Sequence, residues 1–124
     1  MYDLTVERQF AAAHRLEGYP GPCARLHGHN YRVLVTFRAS QLDAAGFAAD
    51  FATLKAVCDQ VLAGLDHQYL NDLPAFAGLS PTAERLAEYL YRAVAEAAAD
   101  LPVQVEAVTV YESDTAAVTY RETP

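Results

Sequence analysis

The sequence predicts an α+β domain: a four-stranded antiparallel sheet with two helices on one face, in the order β-β-α-α-β-β. Three observations predict it. Apolar residues alternate with period two near both ends of the chain, the middle carries helical spacing instead, and Gly, Pro, Ser and Asp punctuate the joins. Strands and helices grouped in this way favour an antiparallel sheet with its helices segregated to one side. At 124 residues the chain fits a single domain spanning 1–124. Its 52% hydrophobic content suffices for a core and argues against disorder.

Residues 2–10 read as the first strand, with Tyr2, Leu4, Val6 and Phe10 on one face and Asp3, Thr5, Glu7 and Gln9 on the other. Gly18, Pro20, Gly21 and Pro22 mark 15–26 as a loop. Residues 29–39 alternate again through Tyr31, Val33, Val35 and Phe37. Asp50 is placed to cap a helix from about Phe51 to Gly64, whose stripe is Phe51, Leu54, Val57, Cys58, Val61 and Leu62. Ser80-Pro81 reads as an N-cap followed by proline at the first helical position. Leu86, Tyr89, Leu90, Ala93, Val94 and Ala97 continue that second helix, Glu84 lies in its first turn, and Pro102 closes it. Residues 103–112 and 116–121 form the last two strands. The free face of such a sheet is solvated or covered by another subunit.

Composition narrows the function. Net charge is −7 with one lysine and eight arginines, none clustered, which argues against nucleic acid as a partner. No apolar run reaches the roughly 18 residues of a membrane span. The N-terminal stretch alternates and has no apolar leader core, so no secretory signal is expected. Two cysteines, Cys23 and Cys58, without such a signal point to a reducing cytoplasm and no disulfide.

The chemistry gathers around histidine. His27 and His29 stand at i and i+2, which on an extended chain directs both imidazoles to one side, and Gly28 between them gives the backbone room to bend toward a ligand. His14 keeps the parity of the first strand's apolar face, so pairing of the two strands brings it to His27 and His29. Three neutral imidazoles with an open fourth position form a catalytic zinc layout. Cys23, four residues before His27, is either a fourth ligand that closes a structural site or a base whose thiol is acidified beside zinc. Cys58 lies on a helix stripe and reads as core. Asp66-His67 reads either as a carboxylate orienting a histidine or as a helix C-terminus at which His67 meets the last carbonyls. Glu112 is either a solvated strand-end carboxylate or an anchor for a guanidine-like ligand edge.

The stretches F-A-A-A-H-R-L at 10–16, C-A-R-L-H-G-H-N-Y at 23–31, D-F-A-T-L-K at 50–55, L-D-H-Q-Y-L-N at 65–71, P-T-A-E at 81–84 and V-Y-E-S-D at 110–114 occur in this order. Together they resemble the 6-pyruvoyl-tetrahydropterin synthase and 6-carboxy-tetrahydropterin synthase family over essentially the whole chain. The resemblance implies the tunnelling fold (T-fold), in which sheets of neighbouring subunits join into a barrel. It also implies a homo-oligomer with active sites at its interfaces. It implies zinc on His14, His27 and His29, Cys23 as catalytic base, Asp66 and His67 as its catalytic partners, and Glu112 as pterin anchor. The three residues between Cys23 and His27 resemble the queuosine-pathway, carboxy-forming enzymes. The ending Y-E-S-D-T-A-A-V-T-Y resembles the pyruvoyl-forming ones. Ala48 and Ala49 depart from the bulkier residues of relatives, which touches packing more than chemistry.

The implied reaction is zinc-dependent conversion of 7,8-dihydroneopterin triphosphate to 6-carboxy-5,6,7,8-tetrahydropterin, releasing acetaldehyde and triphosphate. The alternatives are triphosphate elimination to a pyruvoyl product, or a non-catalytic zinc-stapled module with Cys23 as fourth ligand. Arg15 and Arg25 flank the zinc residues and read either as triphosphate contacts or as surface charges.

Overall fold

The structure is a computed structural model and describes residues 1–18 and 21–122, with Cys23 described by its backbone only. The Cys23 side chain, assigned above as base or fourth ligand, therefore lies outside the described residues, as does Pro20 of the expected loop. Strands β1 (Tyr2–His14) and β2 (His27–Ala39) are followed by helix α1 (Phe51–Leu62), a two-residue strand β3 (Gln68–Tyr69) and helix α2 (Ala83–Ala97). Strands β4 (Gln104–Ser113) and β5 (Ala116–Tyr120) complete the chain.

The sheet has five strands in the order β3-β1-β2-β4-β5, not the four expected. β3 runs parallel to β1, and the other pairings are antiparallel. Two residues are too short to show any periodicity, so β3 left no sequence signal. Its Gln68 and Tyr69 pair with Ala12 and Ala13, next to two tertiary bonds at Ala11: the Asp66 carboxylate accepts from Ala11 N at 2.9 Å, and His67 N donates to Ala11 O at 2.6 Å.

β1 and β2 run further than expected because their alternation continues through His14 and His27, which stand opposite each other in register. Phe10, Ala12, Tyr31, Val33, Val35, Phe37, Val108 and Val110 turn inward against α1 and α2, and Phe10 stacks on Tyr31 with ring centroids 4.8 Å apart. The opposite face is polar. Arg38 bonds Asp3 and pairs with Glu106, Arg32 bonds Glu7 and lies over Tyr111, and Thr5 meets Thr36.

α1 starts where Asp50 accepts from Ala52 N at 2.8 Å. It stops at Leu62, whose carbonyl accepts from both Leu65 N and Asp66 N, two residues before the expected Gly64. Its stripe buries Leu54, Cys58 and Leu62, while Phe51 is exposed. The N-cap of α2 is Thr82, not Ser80: Thr82 Oγ1 accepts from Arg85 N at 3.2 Å. Ser80 instead accepts from Glu17 N. This later start leaves the Pro81 carbonyl outside the helix ladder, where the site uses it. Glu84 lies in the first turn as expected, and the buried stripe is Ala83, Leu86, Ala87, Leu90 and Val94, with Ala97 outside it. Among the described residues, no helix is long and apolar enough to cross a membrane.

Candidate metal centre

The strand register carries the site. His14 opposes His27, Ala12 opposes His29 and Phe10 opposes Tyr31, so the inward parity that builds the core also stacks three imidazoles at its end. His14 is fully buried. The rings meet edge-on, with centroids 4.4 to 5.0 Å apart and interplanar angles from 72° to 88°. One ligand nitrogen from each ring lies within 4.8 Å of the others.

Hydrogen bonds fix which nitrogens face inward. His14 Nδ1 donates to the Pro81 carbonyl at 2.8 Å, and His27 Nδ1 donates to the Arg25 carbonyl at 2.7 Å. A carbonyl only accepts, so each ring carries a proton on Nδ1, and the neutral tautomer presents a bare Nε2. Those two Nε2 atoms lie 2.8 Å apart. Two lone pairs at that distance repel unless a proton or a metal ion stands between them. Among the described residues His29 Nε2 is buried without a hydrogen-bond partner, a state that carries a desolvation cost of about 1–3 kcal/mol. Burial lowers the pKa of both His14 and His29, against partial opposition from Glu112, so both favour the neutral, ligating form. These residues fit a divalent metal with imidazole ligands, and backbone carbonyls orienting ligand histidines are the usual supporting arrangement.

Glu112, near the end of β4, points into this cluster. Its Oε1 lies 3.3 Å from His29 Nε2 and 3.5 Å from His14 Nε2. Glu112 thus faces the imidazoles while its side chain stays 35% exposed. Tyr31 is also fully buried, and its hydroxyl lies 3.3 Å from His14 Nδ1. Burial, then the Glu112 charge, pushes its pKa upward, so it stays a neutral phenol. The sequence reading missed Tyr31, although it shares the parity of His27 and His29. It also missed the Pro81 and Arg25 carbonyls, for which residue identity gives no signal.

Asp66 and His67 are brought together, with Asp66 Oδ2 3.0 Å from His67 Nδ1. The Ala11 N–H first, then His67, holds the Asp66 carboxyl below its usual range. His67 does not meet the carbonyls of α1: its N–H is used by Ala11, and its φ of 59° is a left-handed conformation uncommon outside glycine. The ring is exposed and shares with His29, Gln68 and Tyr69 the wall of a hollow of about 470 Å³. Gly28 lies in regular strand pairing, and a Cβ there would meet Ala12 O at an ordinary 3.5 Å, so no bend toward a ligand is needed.

Arg15 Nε donates to the Ala24 carbonyl at 3.0 Å, tying the exit of β1 to the short 3-10 turn Pro22–Ala24 that carries the Cys23 backbone. Asn71 clamps the Arg15 backbone from both sides, with 2.9 Å bonds to its N–H and carbonyl. Arg25 is exposed.

Comparison with known proteins agrees with this arrangement. The family model described as 6-pyruvoyl tetrahydropterin synthase matches residues 3–123. A Synechocystis protein named 6-carboxy-5,6,7,8-tetrahydropterin synthase is 35% identical, covering 97% of this chain and 93% of its own. A Poecilia reticulata protein named 6-pyruvoyl tetrahydrobiopterin synthase is 33% identical, covering 95% and 88%. The solved 6-pyruvoyl tetrahydropterin synthase of Caenorhabditis elegans superposes with a TM-score of 0.82 at 29% identity, over 99% of this chain and 98% of its own. With three imidazoles converging at the end of a shared α+β fold, the chain belongs to the 6-pyruvoyl tetrahydropterin synthase family.

Proposed function

We propose that the chain is a zinc-dependent lyase that converts 7,8-dihydroneopterin triphosphate and one water to 6-carboxy-5,6,7,8-tetrahydropterin, acetaldehyde and triphosphate. The observation that carries the reading is the convergence of bare imidazole nitrogens, with His14 and His27 Nε2 2.8 Å apart and both Nδ1 protons committed to carbonyls. The Synechocystis relative, similar over nearly the whole chain, bears the carboxy-forming name.

His14, His27 and His29 hold the zinc, which supplies Lewis acidity beside the substrate's side-chain hydroxyls. Cys23, as thiolate, takes the proton from the first side-chain carbon, and His67, oriented by Asp66, handles the proton on the far side. Glu112 accepts from the amino and ring N–H groups of the pterin, a pair of parallel charge-assisted bonds. The ring gains two hydrogens while the first side-chain carbon is oxidised to carboxylate, so the redox change is internal and needs no further cofactor. The next two carbons leave as acetaldehyde, and the triphosphate leaves from the terminal one. Arg15 and Arg25 offset triphosphate charge, and Arg15→Ala with Arg25→Ala then raises KM. The working form is a cytoplasmic homo-oligomer with active sites at its subunit interfaces.

The second reading, elimination of triphosphate with the side chain kept as a pyruvoyl group, is favoured by the near-equal identity of the Poecilia relative. Incubating the zinc-loaded protein with 7,8-dihydroneopterin triphosphate and identifying the pterin by mass spectrometry decides. A carboxylated tetrahydropterin with acetaldehyde supports the first reading, and a pyruvoyl product replaces it with the second. In the stapled-module alternative there is no turnover, and Cys23→Ala releases zinc. In the enzyme, Cys23→Ala abolishes turnover and keeps zinc.

A further inference from the structure

We propose that Glu112 is an exchangeable fourth ligand of the metal centre, closing the three-histidine site while no substrate is bound. This deepens the zinc reading of the same site and rests on it.

Three facts carry the inference. The first is distance. In a tetrahedral zinc site with bonds near 2.0–2.2 Å, neighbouring ligand atoms stand roughly 3.3 Å apart. Glu112 Oε1 stands 3.3 Å from His29 Nε2 and 3.5 Å from His14 Nε2, the spacing of such a site toward two of its three histidines. The second is chemistry. His14 and His27 turn their Nε2 atoms inward, His29 Nε2 is buried without a partner among the described residues, and the carboxylate adds a further electron-pair donor. A carboxylate facing bare imidazole nitrogens is favourable only across a cation. The third is position. β4 and β5 shift register between Tyr111 and Ser113, which leaves Glu112 without a cross-strand partner in that pairing. Inward parity continues from Val108 and Val110 to Glu112, and its side chain remains 35% exposed. A side chain on such a bulge is aimed by the fold yet free to turn.

The consequence couples two events. Substrate arriving at the metal would take the place of the Glu112 carboxylate, so the open position would appear only with substrate in place. Until then the carboxylate keeps competing anions and water from the metal.

The test uses the full-length protein loaded with Co²⁺, whose visible spectrum reports its ligands, titrated with thiocyanate as a probe of an open position. Thiocyanate is expected to bind the Glu112→Gln and Glu112→Asp variants at least tenfold more tightly than the unaltered protein. Glu112→Asp keeps the charge and withdraws the oxygen by one methylene, so a gain in Glu112→Gln alone reports charge repulsion and overturns the proposal. Equal thiocyanate binding by all three proteins also overturns it. Cobalt that fails to bind at all overturns the metal reading itself. A crystal structure of the zinc-loaded, substrate-free protein gives a result independent of variant folding. A Glu112 oxygen within about 2.2 Å of zinc supports the proposal, and a water there with the carboxylate beyond about 3 Å refutes it.

Discussion

Tyr31→Phe removes one oxygen from the floor of the candidate metal centre, and the structure says how little that should cost. The Tyr31 hydroxyl lies 3.3 Å from His14 Nδ1, while the same nitrogen donates to the Pro81 carbonyl at 2.8 Å. Deleting the hydroxyl therefore removes the weaker contact and leaves no orphaned donor. The Phe10 stack on the ring survives. The loss is that of one ordinary buried hydrogen bond, about 0.5–1.5 kcal/mol. Tyr31→Ala removes the ring as well and falls in the class of large aromatic truncations, about 3–5 kcal/mol. Urea unfolding of the zinc-free protein measures both. With an m-value of about 2 kcal/mol/M, the midpoint shifts by about 0.3–0.7 M for Tyr31→Phe and by about 1.5–2.5 M for Tyr31→Ala. Because the shorter bond to Pro81 still holds the His14 tautomer, Tyr31→Phe keeps zinc affinity within about tenfold. A Tyr31→Phe variant that loses as much stability as Tyr31→Ala, or that no longer holds zinc, would show that the hydroxyl and not Pro81 orients His14.

Thr82→Ala removes the N-cap of α2 and costs about 1 kcal/mol in urea unfolding, with recovery by Thr82→Ser. Since the Pro81 carbonyl stands next to that cap, zinc affinity falls in the alanine variant and returns in the serine one; unchanged affinity would separate the cap from the site. Burial holds His14 and His29 below their ordinary pKa, so the folded zinc-free protein keeps them neutral where the unfolded chain takes up protons. Their contribution is full above about pH 6.5 and is lost as pH falls through the lowered folded values. Urea midpoints of the zinc-free protein should drop from pH 7.5 to pH 5, and a flat profile would contradict the assignment. Burial, then Asp59, pushes the Cys58 thiol up to about 11, so at pH 8 only about one thiol in a thousand is thiolate. A thiol reagent should leave Cys58 unmodified in native Cys23→Ser protein and label it after unfolding; rapid native labelling would show that α1 opens.

By itself, the sequence determined the elements whose signals are local and long. The alternation of β1 and β2, the stripes of α1 and α2 and the Asp50 cap were legible, because period and capping chemistry are carried by neighbouring residues. The histidine set was legible for the same reason: the parity of His14, His27 and His29 follows from strand geometry once β1 and β2 pair. Tertiary structure alone decided what depends on backbone groups brought from far along the chain. β3 pairs with Ala12 and Ala13 beside the Asp66–Ala11 bond, which spans 55 residues of sequence, and no pattern in two residues announces it. The start of α2 at Thr82 frees the Pro81 carbonyl for His14, and the Arg25 carbonyl turns His27. Those two carbonyls determine which imidazole nitrogens turn inward, and every residue type carries a carbonyl. The sequence could name Glu112 as a carboxylate at a strand end, but only the register of β2 against β4 placed its oxygen 3.3 Å from His29.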